Sequence, residues 1–166
     1  MLLDVRSRRT YRDATTGATE TDSENRIYRM SVAYHIDPRQ QIVVGRQFAP
    51  ALAVVSLFDG VLYSLDGTRM GWGAFMGVQP DAVDLGFSGD VQEYGAYLQF
   101  RNPPASEHRW TLTTGFIGSY TEQTVNREFL YLQAQYFGSR FTGYLAQEVD
   151  YNRAWKVSEA DESVVS

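Results

Sequence analysis

The sequence predicts an all-β domain, an antiparallel up-and-down meander of about 8–9 strands without a helix. Three observations carry that expectation. Apolar and polar residues alternate with period two through long stretches of the chain. Tight turns and longer irregular links take turns between those stretches. The 166 residues also include 11 Tyr, 9 Phe, 3 Trp and 14 Gly, a bias toward side chains that suit a pleated surface and toward glycine.

Taken in chain order, Leu3 to Arg12 is the first and less regular strand. Tyr28, Met30, Val32, Tyr34 and Ile36 then share one face, with Arg29, Ser31, Ala33 and His35 on the other. Gln41–Phe48, Phe58–Leu65 and Met70–Val78 are further, weaker strands. Tyr94, Ala96, Leu98 and Phe100 oppose Glu93, Gly95, Tyr97, Gln99 and Arg101. Trp110, Leu112, Thr114, Phe116 and Tyr120 oppose Arg109, Thr111, Thr113 and Gly115. Leu130, Leu132, Ala134 and Tyr136 oppose Arg127, Gln133 and Gln135, although Phe129 and Tyr131 blur that contrast. Phe141, Leu145, Val149 and Tyr151 oppose Arg140, Thr142, Glu148 and Asp150. The links Asp37–Gln40, Asp66–Arg69, Asn102–Ser106 and Gly138-Ser139 carry turn chemistry. Asp13–Glu24, Ala49–Leu57, Gln79–Asp90 and Thr121–Asn126 read as longer segments. A meander with all its long loops at one end has this rhythm, so an up-and-down barrel is the expected architecture. Gly60, Gly73, Gly77, Gly95 and Gly115 are expected at bends or crowded points of a curved sheet.

Alternation alone does not say which face of a barrel is apolar. Trp110 and Tyr120 share a face ten residues apart, as do Phe141 and Tyr151. That spacing spans about 33 Å of strand, or about 25 Å once tilted, the height of a lipid-facing band between two aromatic girdles. The opposite face mixes Arg, Glu, Gln, Thr and Gly, which suits a hydrated lumen. A transmembrane β-barrel, or a section of one, is therefore the expectation. The alternative is a soluble calycin-like barrel with an apolar interior holding a small apolar ligand. A barrel with a plugged lumen and a structural or adhesive role is a third reading. The longest apolar run, Phe48 to Phe58, holds Pro50 and is too short for a spanning helix, which needs about 20 residues.

Val44-Gly45-Arg46-Gln47-Phe48, then Phe58-Asp59-Gly60-Val61, then Phe75-Met76-Gly77-Val78-Gln79-Pro80 resembles bacterial outer-membrane β-barrels of porin type. The resemblance implies passive passage of small polar solutes, outer-membrane lipid as surroundings, and no cofactor. Two features depart from it: no signal peptide opens the chain, and Glu159 to Ser166 is an acidic stretch rather than an aromatic-ended strand. With an odd strand count, these point to an internal piece of a larger barrel. In that case the strands near Leu3–Arg12 and Arg140–Tyr151 are open edges. A closed eight-stranded barrel whose first segment is no strand is the other possibility. Residues 1–157 are expected to form the β domain and 158–166 a disordered acidic tail.

Fifteen basic against 20 acidic residues leave a net charge of −5, which argues against nucleic acid as a partner. Without cysteine, and with only His35 and His108, thiolate chemistry is excluded and no metal site is expected. No Gly-x-Ser-x-Gly stands in a strand-turn-helix context, so no catalytic residue is assigned. The candidate functional residues are pore-lining: Arg29, Arg46, Asp59, Glu93, Arg101, Arg109, Arg127, Arg140 and Glu148. Arg46 and Asp59 flank the Ala49–Leu57 segment. They set a field across a constriction if that segment folds inward, or form an ion pair that holds a loop. The other charges line an aqueous path or pair off as a polar core.

Overall fold

A computed structural model describes residues 2–13, 19–81, 85–103, 105–121 and 124–151, with side-chain surroundings from Arg29 onward. The expected tail, 158–166, lies outside the described residues. The strands are β1 (Leu2–Asp13), β2 (Thr19–Asp37), β3 (Gln40–Gln47), β4 (Phe58–Asp66), β5 (Met70–Val78), β6 (Val91–Arg101), β7 (Arg109–Thr121), β8 (Thr124–Phe137) and β9 (Thr142–Asp150). They form one antiparallel sheet in sequence order from β1 to β9. No ladder joins β1 to β9 among the described residues, so the sheet is open at both edges.

The turns close through the residues that suit them. Asp37 Oδ1 accepts the backbone N–H groups of Arg39 (2.7 Å) and Gln40 (2.9 Å), and its Oδ2 accepts the Gln40 amide (2.8 Å). This self-capping is the usual work of aspartate at a turn. Gly67 N–H bonds to the Met70 carbonyl at 3.0 Å, and Gly138 N–H to that of Phe141 at 2.8 Å. Asn102 Oδ1 accepts from Trp110 N–H at 3.0 Å across the turn before β7.

Two links expected to be long are instead mostly strand. β1 and β2 stay paired up to Asp13 opposite Thr19, and β7 runs to Thr121 before β8 starts at Thr124. Thr19 to Arg26 (TETDSENR) is polar at every position, so alternation has nothing to report there. The backbone ladder forms regardless.

The sheet has two unlike faces. One is covered by residues 49–58, which with Leu62, Phe75, Tyr97, Ile117, Phe129 and Tyr131 make the core. Phe129 and Tyr131 blurred the pattern in β8 because these two rings point into that core. The other face is bare, and it carries the regular apolar set of the alternation. Tyr34, Leu98, Leu112, Leu132 and Leu145 are 68, 41, 36, 36 and 55% exposed there.

Candidate functional site: a polar wall and the segment folded onto it

Beside its apolar core, the covered face carries a row of small and polar groups. Gly45, Gly60 and Gly77 stand directly opposite one another across β3, β4 and β5, and the row continues through Glu93 and Ser119 to Arg127. Gly45 has φ of +116°, a conformation that side-chain-bearing residues rarely adopt. Elsewhere on the wall, large rings lie over glycines on the facing strand. A Cβ at Gly73 would sit 2.6 Å from the Tyr97 ring, and one at Gly95 would sit 2.5 Å from that of Phe75. The glycines thus mark places where an aromatic ring needs the space of a missing side chain.

Residues 48–57 leave β3 and return into β4. Leu52 N–H bonds to the Ala49 carbonyl at 3.0 Å, and Val55 N–H to that of Leu52 at 3.1 Å. Two successive three-residue turns bring every third side chain to one side. Ala49, Leu52, Val55 and Phe58 are that side, and all four are buried. Phe58 packs on Phe75 with ring centroids 5.0 Å apart. Leu52 reaches over to β7, where a Cβ at Gly115 would meet its Cδ2 at 3.0 Å and the Ala96 carbonyl at 2.9 Å. Gly115→Ala is therefore expected to cost about 1–3 kcal/mol through overpacking. Combined with Leu52→Ala, which is itself destabilising, the total loss should fall short of the sum of the two single losses, because one of the two clashing groups is then gone. Denaturant titration of the refolded single and double variants checks both outcomes.

The mouth of this excursion is held by the sequence motif noted above. The register sets Gly45 opposite Gly60, Arg46 opposite Asp59 and Gln47 opposite Phe58, so Gly-Arg-Gln pairs residue by residue with Phe-Asp-Gly. Arg46 grips Asp59 with two hydrogen bonds, Nε to Oδ1 at 2.7 Å and Nη2 to Oδ2 at 2.6 Å. Its Nη1 also donates to the Leu85 carbonyl. Leu85 has φ of +57°, so the clasp holds an unfavourable backbone conformation in the link after β5. On the other face, the buried Gln47 amide donates to the Val43 carbonyl at 3.0 Å. The motif closes the neck of the folded-in segment.

The nine candidate residues fall into separate places. By register, Arg46 and Asp59 lie on the side of Val44 and Val61, the bare face, rather than on the covered wall. Arg29, Glu93, Arg101, Arg127 and Glu148 share the covered side. Glu93 is buried and takes a hydrogen bond from the Gln79 amide. Arg101 pairs with Asp66 at 2.8 Å near the short turns. Arg127 holds Asp150 at 2.5 Å and Glu148 at 2.6 Å, and its guanidinium lies 4.2 Å above the Phe129 ring. Arg109 and Arg140 are exposed at the short-turn end and do not join these groups. His35 is exposed beside Gln41 in the β2–β3 register, and His108 stacks near Tyr136 at 6.1 Å. Because Asp37 spends both oxygens on its own turn, the two histidines and this acid form no assembled group.

The bare face contributes features that single-strand patterns do not show. Tyr94 and Tyr120 stack at 5.5 Å, and their hydroxyls lie 3.0 Å apart. Both reach a Glu128 oxygen, at 3.4 and 3.3 Å, on the end of the face near the long links. Tyr63 meets Trp72 at 5.1 Å, and Tyr136 meets Phe141 at 6.0 Å, toward the short turns. Aromatic rings thus edge the apolar field at both ends. Comparison of the chain with protein-family models, with curated proteins and with solved structures finds no match.

Proposed function

We propose that this chain forms wall of a bacterial outer-membrane β-barrel of porin type, non-enzymatic, with the bare face toward lipid and the covered face toward a lumen that passes small polar solutes. One observation carries the reading. Between the aromatic edges, the bare face of β4 to β8 presents Val61, Trp72, Met76, Leu98, Leu112, Phe116, Leu130 and Leu132 with no charged residue among them. A soluble monomer rarely shows so large a continuous apolar field to water. Hydrocarbon is the solvent that suits it.

The open edges fit the same reading, since unpaired N–H and C=O groups in lipid cost several kcal/mol each and call for further strands to close the sheet. In that wall, residues 48–58 narrow the lumen from its side. A calycin-like barrel would turn the regular apolar set inward around a ligand. Here that set is exposed, and the covered side is filled by the chain's own segment.

The test is to refold a Trp155→Phe variant into vesicles of brominated phosphatidylcholine, leaving Trp72 and Trp110 as reporters. Both stand exposed on the bare face. Strong quenching and flotation with the vesicles are expected. A variant that stays soluble and monodisperse without detergent, with unquenched tryptophan, would count against the membrane reading.

A further inference from the structure

A cavity of about 280 Å³ opens on the covered face, between the inner side of β2 to β4 and the start of the folded-in segment. Arg29, Ser31, Gln41 and Gln47 supply its polar lining, and Phe48 and Leu62 belong to its apolar part. Arg29 is unlike the other covered-face arginines. Arg101 and Arg127 are neutralised by carboxylates, whereas no ion pair joins the Arg29 guanidinium to any residue from Arg29 onward whose side chain is described. The Arg29 Nε, like that of Arg101, is buried with no hydrogen-bond partner, but Arg101 has Asp66 to balance its charge. A withdrawn guanidinium donor without an acceptor is costly, and native structures seldom leave one so.

We propose that this cavity binds a small organic carboxylate, with Arg29 as its anchor; the proposal rests on the reading of the covered face as a solute-facing wall. The guanidinium fork matches a carboxylate in a two-bond contact. The Ser31 hydroxyl and the Gln41 amide are further donors on the same face, and the apolar part of the lining suits a short carbon stem. One cation balances one negative charge, which favours a monocarboxylate over a phosphate dianion. The volume sits just below the usual range for ligand pockets, about 300–1,000 Å³, so the ligand is small.

The experiment uses the full chain refolded in detergent, with sodium butyrate as probe and butyramide as its neutral counterpart, followed by saturation-transfer NMR. Saturable butyrate binding is expected, with butyramide much weaker. Arg29→Gln should weaken butyrate by at least about tenfold, and Arg29→Lys by less. Equal binding by the Gln variant, equal binding of butyramide, or no saturable binding overturns the site. Tighter binding of inorganic phosphate than of butyrate overturns the ligand class. Bromolipid quenching is measured on the same preparations. Quenching without butyrate binding removes this site alone, whereas absent quenching removes the membrane reading on which it stands.

Discussion

Leu132→Arg is expected to destabilise the chain folded in a bilayer by about 2–4 kcal/mol, the cost of an arginine facing the middle of a membrane. Leu132 lies on the bare face of β8, four residues from Glu128 at one end and four from Tyr136 at the other. Its neighbours across the ladders are Thr114 and Gln147, neither able to neutralise a cation. On a surface meant for water, the same change would usually stay within about 0.5 kcal/mol. Denaturant-dependent folding into phosphatidylcholine vesicles measures the difference, and a near-neutral result would contradict the lipid-facing assignment.

Breaking the Arg46–Asp59 clasp from either side is expected to cost about 3 kcal/mol, because each partner strands the other where little water reaches. Their side chains are 10% and 16% exposed, so screening by salt is weak. Arg46→Met and Asp59→Leu should each show this loss, and the double variant should lose little more than either alone. The same variants should become sensitive to protease in the link after β5, since Arg46 also holds the Leu85 carbonyl. Additive single losses in a double-mutant cycle would show that the two side chains do not act as a unit.

The strands on which this account depends were legible because one face is apolar at nearly every alternate position. From Trp110 to Phe116, and from Leu130 to Tyr136, period two needs no tertiary context. The β1–β2 hairpin was only half legible, since Thr19 to Arg26 is polar on both faces and only the ladder reveals it. The folded-in segment carried a signal of a different period: Ala49, Leu52, Val55 and Phe58 recur every third residue, the mark of successive tight turns. Counting by two from Ile42 and Val44 would likewise have set Arg46 on the apolar face, away from the lumen list. What no local pattern could supply is the contact of Leu52 with the far strand at Gly115, or the isolation of Arg29. Both depend on which strands the sheet brings around the segment.

Two faces in contact with different solvents should be distinguishable residue by residue, and the absence of cysteine allows a direct measurement. Single cysteines at consecutive positions 96 to 100 of β6, each spin-labelled after refolding into vesicles, report their surroundings by collision with oxygen and with a water-soluble nickel chelate. Positions 96, 98 and 100 should favour oxygen, and 97 and 99 should not, giving a period of two in phase with the bare face. An oxygen preference in the opposite phase, or none at any of the five positions, would contradict the account.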